Sequence, residues 1–426
     1  MGATAVLFAE GAEAANRLFG RVLGHSPYWP FVLTPVGLAM VVWITRRYFP
    51  GSQGSGIPQA IAALQITDRS ARGAVLSLRI GLGKVFLTLL ALLSGASVGR
   101  EGPTVQVGAS IMHSLSRLAN FPRAELEKGL ILAGGAAGVA AAFNTPLAGV
   151  VFAIEEMSRS FEQRTNGIIL TAVILAGMTS LAMSGNYAYF GHTSAALDFN
   201  EGWLAVLLCG IAGGLLGGMF SRILLETAGG LPGKWGGWLK QHPVTMAAVC
   251  GLALAAIGLA SGHTTYGTGY VEAKALLSGT EPMPVSYGVL KMLATIVSYL
   301  SGIPGGIFAP SLAIGAGFGA NLAGWMPYAP AGAVVILGMV AYFSGVVQAP
   351  ITAFVIVMEM TDNHNLLLPL MAAAILGSIS SRLVCRKPLY KALAAGFLER
   401  QKAAEPLPAL LTAKTDAPPP DRQPAP

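Results

Sequence analysis

Glu101 is the residue in this sequence that most demands a chemical explanation. It stands in SVGREGPTVQVG (97–108), directly after the apolar run VFLTLLALLSGA. Arg100 precedes it, and Gly99, Gly102 and Pro103 fence it in. Ionisable groups inside apolar spans are costly and belong mostly to ion or proton pathways. Pro103 suits the first turn of a helix, where its missing N–H costs nothing. The glycines before it allow a sharp turn and a close approach to the backbone. A helix starting near Glu101 carries roughly half a positive charge at its N-terminus. Its free N–H groups make that end an anion site. A carboxylate there competes with a mobile anion for the same N–H groups, and a proton ends the competition. The simpler alternative is that Glu101 caps its own helix and pairs with Arg100.

Two further stretches share the pattern. GGIFAP (305–310) sets Gly305 and Gly306 before Pro310, and GSGIP (54–58) adds the hydroxyl of Ser55. Three such helix starts converging on one point would hold an anion with partial charges alone. That favours moderate affinity, which a transported ion requires if it is to leave. Glu155 and Glu156 close the run PLAGVVFAIEEM. They are either solvated acids at a helix end or include a second proton station. Lys84, 17 residues before Glu101, is either buried beside the pathway or snorkels to the surface. The six histidines show no ligand spacing and are assigned to surface or loop positions. Cys209, Cys250 and Cys385 suit neither a disulfide framework nor a metal site, so neither metal nor cofactor is expected. Ser55 as an enzymatic nucleophile would need a base within reach. No histidine lies in a repeated or glycine-rich motif to supply one, so the chain does not read as an enzyme.

These residues must be positioned by membrane helices. Of 426 residues, 53% are hydrophobic and only 11% charged, against about 25% charged in soluble domains. The mean hydropathy of +0.61 agrees. The net charge of +7 gathers at Arg46-Arg47, Arg69–Arg79 and Arg382–Lys402. Base flanking apolar spans marks cytoplasmic loops. No basic face accompanies a soluble fold, so nucleic-acid binding is not expected. The N-terminal stretch lacks a basic n-region and reads as an amphipathic helix that begins abruptly at Met1, not as a signal peptide. The Pro-rich end, 401–426, reads as a disordered tail.

Apolar segments recur at 31–45, 74–95, 104–116, 129–157, 167–184, 203–224, 244–261, 287–301, 306–325, 332–346, 350–360 and 366–384. Several fall short of the roughly 20 residues of a simple span. Many of the 54 glycines interrupt them, which predicts broken helices lining a protein cavity. Polar stretches at 185–202 and 226–242 divide the chain near its middle. The halves resemble each other. GREGPTVQVGA matches GIFAPSLAIGA 207 positions on, so Gly99 meets Gly306 and Pro103 meets Pro310. PLAGVVFAIEEM matches PITAFVIVMEMT 204 positions on, placing Glu155 on Glu359 and Glu156 on Met360. GSGIPQAIAAL matches GTGYVEAKALL 213 positions on. Two membrane repeats, 1–190 and 200–400, follow. Internal repeats with matching broken helices point to a transporter with its site at the repeat interface. Spacing alone leaves their relative orientation open.

GSGIP, GREGP, GGIFAP and KPLY (387–390), with AAFNTPLAG, AIEEM and MEMTDN in the same order, closely resemble the signature of the CLC family of chloride channels and proton/chloride antiporters. The resemblance runs from about residue 5 to about 400. It implies an all-α polytopic membrane protein of inverted repeats built from tilted, broken helices. It also implies a homodimer with one anion pathway per subunit. By this resemblance Ser55 and Tyr390 offer hydroxyls to a central chloride, and backbone N–H groups of Ile307 and Phe308 complete the site. Glu101 becomes the gating carboxylate and outer proton acceptor, and Glu156 the inner proton-transfer residue. Gly54, Ser55, Gly56, Ile57 and Pro58 form one filter motif. Gly99, Arg100, Glu101, Gly102 and Pro103 form the second, and Gly306, Ile307, Phe308, Ala309 and Pro310 the third. Serine at 55 suits chloride, where proline would favour nitrate; Glu101 and Tyr390 argue against the fluoride-exporting branch. The family's first helix is missing from the pattern, as are the soluble nucleotide-binding-like domains of many eukaryotic members. A multi-pass location follows, in the inner membrane if the source is bacterial. Proton-coupled exchange and a passive, voltage- or pH-gated chloride channel remain the two readings, and the carboxylate at 156 favours exchange.

Overall fold

Proline and positive backbone φ cut the apolar sequence into helices. The computed structural model describes residues 1–66, 68–118, 124–158, 163–185, 188–198, 202–230 and 233–404. Its first half carries α1 (Gly2–His25), α2 (Pro30–Tyr48), α3 (Ile57–Gln65), α4 (Arg69–Gly73) and α5 (Leu78–Leu93). Next come α6 (Glu101–Leu118), α7 (Ala124–Phe143), α8 (Pro146–Phe152) and α9 (Gln163–Ser184). Its second half opens with α10 (Gly202–Ala228), α11 (Gly233–Gln241), α12 (Pro243–Ala260), α13 (Tyr270–Ser278) and α14 (Tyr287–Leu300). It closes with α15 (Phe308–Ala323), α16 (Ala331–Val347), α17 (Pro350–Thr361), α18 (Leu367–Val384) and α19 (Leu389–Ala404). Among the described residues there is no strand, only two isolated β-bridges. Among the described residues, six helices are long and apolar enough to cross a membrane.

Eight pairs of helices match in order: α1/α10, α2/α12, α3/α13, α5/α14, α6/α15, α7/α16, α8/α17 and α9/α18. The partners start between 200 and 213 residues apart. The repeat is inverted. Gly99 and Gly306, partners under it, form an antiparallel bridge, so corresponding segments run in opposite directions. α16 is buried along almost its whole length, as expected of a helix apolar all round. α6 and α7 approach closely at Gly108 and Gly134, where a Cβ on either would strike the other's carbonyl. Small residues at such crossings are how membrane helices pack tightly.

The apolar run 129–157 is interrupted, in keeping with the broken helices that the sequence predicts. It breaks where Asn144 takes φ 58°, and Pro146 starts α8. Gln348 breaks the second repeat in the same way, at φ 56°, before Pro350. The polar stretch 226–242 contains α11, whose two lysines hid a helix from a purely apolar criterion. At the C-terminal end α19 continues to Ala404, into the stretch read as tail; residues 405–426 lie outside the described residues.

The assignment of His113 to a surface or loop position needs correction, because the residue is buried. Its Nδ1 lies 3.0 Å from Glu127 Oε1, and Arg72 Nη1 lies 2.9 Å from Glu127 Oε2. Arg72 also donates to the carbonyls of Ala63, at 3.1 Å, and Ile66. This cluster ties α4 to α3, α6 and α7. Buried charges are tolerated when paired and hydrogen-bonded in this way.

Glu155 is a surface acid with a specific task. Its Oε1 accepts from Ile351 N at 3.1 Å and its Oε2 from Thr352 N at 2.6 Å, capping the start of α17. Glu359 returns the favour to α8, accepting from Leu147 N at 3.2 Å and Ala148 N at 2.7 Å. The two halves are thus clasped by one reciprocal pair of charged caps. Losing a helix cap costs about 1 kcal/mol. E155A and E359A should each lower stability by that order and by similar amounts. Thermal melting of the purified protein in detergent checks this, and a large asymmetry would contradict the reciprocal arrangement.

Candidate functional site

The centre of the molecule is made of glycine backbone. Gly99 N donates to Gly306 O at 2.6 Å, and Gly306 N donates to Gly99 O at 2.7 Å. Gly54 N donates to Ile303 O and Gly305 N donates to Gly54 O, each at 3.1 Å. These bonds bring together the starts of α3, α6 and α15. A Cβ on Gly102 would overlap Ser55 Oγ, and one on Gly306 would lie 3.0 Å from Gly102 N and 3.1 Å from Pro103 Cδ. Glycine at 54 and 56 is required for a second reason: they take φ 68° and 105°, conformations that residues with a Cβ avoid. Each of the three starts leaves N–H groups without intrahelical partners, and all three point into one buried region. α19 starts at Leu389 and adds the buried Tyr390.

The sequence-predicted residues therefore meet. The Ser55 and Tyr390 hydroxyls are buried, face each other, and hydrogen-bond to no other described residue. Ile307 stands at the N-cap of α15 and Phe308 opens the helix, both buried. Glu101 is 1% exposed. Its carboxylate folds back over Gly99, where a Cβ would overlap Oε2, and toward the N–H groups of Arg100, Ala309 and Glu101 itself. It thus spans from α6 to the start of α15 instead of merely capping its own helix. Arg100 hydrogen-bonds the phenol of Tyr189 and lines a cavity of about 670 Å³ with Tyr189, Thr268 and Tyr270.

Glu156 is the second buried carboxylate among the sequence-predicted residues. It is 4% exposed and sits on a π-helical turn, Ala153–Ser158. Glu155 caps α17 while Glu156 turns inward, as Glu359 and Met360 do in the second half. α17 has no such turn. Tyr390 feels the charge of both Glu156 and Glu101.

Lys84 is buried and does not snorkel. Its Nζ donates to the carbonyls of Ser52, at 2.7 Å, and Gly54. Lys291, 207 positions on, does the same in the second half, donating to Thr265 and Gly267 carbonyls at 2.9 Å each. Lys84 thus holds the GSGIP turn in shape. Gln106 assists from α6, donating to Gly51 O at 3.1 Å and Val75 O at 3.0 Å. An aromatic wall closes the region: Phe308 packs on Phe143 and Phe343 at 5.0 and 4.1 Å, and Tyr189 on Tyr270 at 4.8 Å. Sequence reasoning missed Tyr189, Tyr270 and Phe143. The available signal was an aromatic cluster, YAYF, inside a polar stretch.

Comparison with known proteins bears directly on this geometry. The family model described as voltage gated chloride channel matches residues 37–382. The chain belongs to the CLC family. Among solved structures similar to this CLC chain is a slow cyanobacterial Cl⁻/H⁺ antiporter, at 25% identity and a TM-score of 0.78, covering 94% of this chain and 96% of that one. A CLC-type fluoride/proton antiporter matches at 24% identity and a TM-score of 0.77, covering 92% and 94%. A eukaryotic CLC transporter matches at 19% identity and a TM-score of 0.74, covering 92% of this chain and 71% of that one. The last two likenesses establish the fold alone.

Lys84 offers a test of how the CLC site is held. K84M keeps the volume but leaves buried carbonyls without a donor, which costs about 1–3 kcal/mol. Stability should fall by that order. Thermal melting of the purified protein in detergent measures it.

Proposed function

We propose that this protein exchanges chloride for protons across a membrane. The observation that carries the reading is that two carboxylates, Glu101 and Glu156, are both buried and both close enough to the buried Tyr390 to act on it electrostatically. Ser55, Tyr390 and the N–H groups of Ile307 and Phe308 bind the central chloride as substrate. They do so with dipoles and hydroxyls, so the ion remains exchangeable. Ionised Glu101 occupies the N–H groups that an outer anion would use. Protonated, it loses its charge and its claim on them, and the anion takes its place. Glu156 passes protons between Glu101 and the opposite side. The cyanobacterial antiporter among the similar structures supports this assignment.

The fluoride/proton antiporter has nearly the same TM-score as the chloride one, so backbone shape does not choose the ion. The choice of chloride rests on serine at 55, tyrosine at 390 and the glutamate at 101. The working unit in this reading is a homodimer embedded in the bilayer, with one pathway per subunit, in the inner membrane if the source is bacterial. The repeats 1–190 and 200–400 form that pathway between them. A passive channel is the second reading, favoured by the family description. The buried carboxylate at 156 weighs against it, since an intramembrane charge with no role in conduction is a cost without return.

Purified protein in sealed liposomes under a chloride gradient, with external pH recorded, tests the proposal. Proton movement against its own gradient is expected, and E101A and E156A should each abolish it. Chloride flux without proton movement in the unaltered protein would establish a channel. Flux should also rise as pH falls, because protonation clears Glu101 from the site. E101Q, which cannot ionise, should flatten that dependence; an unchanged pH profile would remove Glu101 from the gate.

A further inference from the structure

α11 has no counterpart in the first repeat. The offset between matching helices is 200 residues at α1/α10 and 213 at α2/α12, and α11 lies in the difference. Its sequence, GKWGGWLKQ, mixes tryptophan with lysine. It connects two membrane-crossing candidates, Gly202–Ala228 and Pro243–Ala260, so it lies at the membrane surface where both of them end. It packs against α12. Trp238 is 46% exposed and stacks on His242 at 4.5 Å, and Lys240 is exposed.

The same surface carries the end of α2. α2 and α12 pack together and cross where Gly251 meets Thr34 and Pro35. Under the inverted repeat they run in opposite directions, so α2 ends where α12 begins. At about 1.5 Å per residue, Arg46 lies roughly 17 Å from the crossing. The start of α12 lies roughly 12 Å from it, with α11 just beyond. Both distances approach half of a hydrocarbon core about 30 Å thick. Trp43, Arg46, Arg47 and Tyr48 are all exposed there. Arg47 lies over the Tyr48 ring at 5.8 Å, and Trp43 packs on Tyr48 at 5.9 Å.

Exposed tryptophan and tyrosine beside exposed base is the composition that suits a lipid–water interface. We propose that α11 and the end of α2 form one docking surface for anionic phospholipid headgroups of the cytoplasmic leaflet. Trp43, Tyr48 and Trp238 sit at headgroup depth, and Arg46, Arg47 and Lys240 bind the phosphates. Charge complementarity selects this occupant: Arg46, Arg47 and Lys240 are exposed cations on two helices whose sequences contain no acid, and exposed Arg79 stands beside them, donating to Tyr48 O at 2.8 Å. The inference does not depend on which ion is transported or whether protons are coupled.

The full chain, reconstituted in phosphatidylcholine vesicles containing brominated phosphatidylglycerol or brominated phosphatidylcholine at equal mole fraction, provides the test through tryptophan quenching. Each surface cation is worth about fivefold in attraction to an anionic leaflet. The unaltered protein should therefore be quenched more by the brominated phosphatidylglycerol. R46Q/R47Q/K240Q should reduce that preference at least tenfold. W238F, which keeps every charge, should remove a large share of the quenching difference. Equal quenching by the two lipids in the unaltered protein would overturn the proposal. So would a preference that survives the triple substitution. Should the triple variant not fold, a quenching difference undiminished in W238F would place the anionic lipid elsewhere and overturn it as well.

Discussion

Two peptide groups, at Gly99 and Gly306, exchange both of their hydrogen bonds across the centre of this protein. Everything in the candidate pathway depends on that contact. It is short because neither residue has a side chain. Four chain segments then meet within a space that one added methyl group would disrupt. Helix N-termini can point at a common site only if their leading turns come this close. The site's positive potential is therefore a product of backbone packing, and no lysine or arginine charge has to be placed on the ion.

Inverted repetition makes it possible to separate residues that hold the fold from residues that act. Where the halves agree, the shared residue supports structure. Lys84 and Lys291 each gather the carbonyls of the loop before a short helix. Glu155 and Glu359 each cap the helix of the other half. Asn144 and Gln348 each break a long helix with a left-handed residue. Where the halves differ, the difference marks the pathway. Arg100 and Glu101 face Ile307 and Phe308 across the pseudo-axis, Ser55 corresponds to Thr268, and Glu156 corresponds to Met360. A symmetric scaffold cannot by itself give a pathway two chemically different flanks. These substitutions supply them.

Much of this was legible in the sequence. The glycine-proline motifs, the repeat offsets and the buried setting of Glu101 all follow from residue type and spacing, because backbone conformation at glycine and proline is a local property. Glu155 and Glu156 could not be told apart on that basis. They are neighbours of one type at the end of one apolar run, and only the packing of the two halves, which sets Glu155 on the start of α17, shows which of them faces inward. His113 was misjudged for a related reason: its partners Glu127 and Arg72 come from other helices, and only their convergence makes its burial tolerable. The position of the break inside 129–157 was not legible, because Asn144 takes a left-handed conformation that composition does not advertise.

By itself, then, the sequence determined a membrane-embedded, twofold-repeated helical chain with three glycine-proline turns and a carboxylate in one of them. Hydropathy, proline and glycine act over a few residues, and a linear reading captures them. Tertiary structure alone decided that the three turns share one centre and that Tyr390 arrives there from the far end of the chain. It also set Tyr189 on Arg100 and turned one acid of an adjacent pair inward. These outcomes depend on distances between segments up to several hundred residues apart, and such distances exist only once the helices have packed.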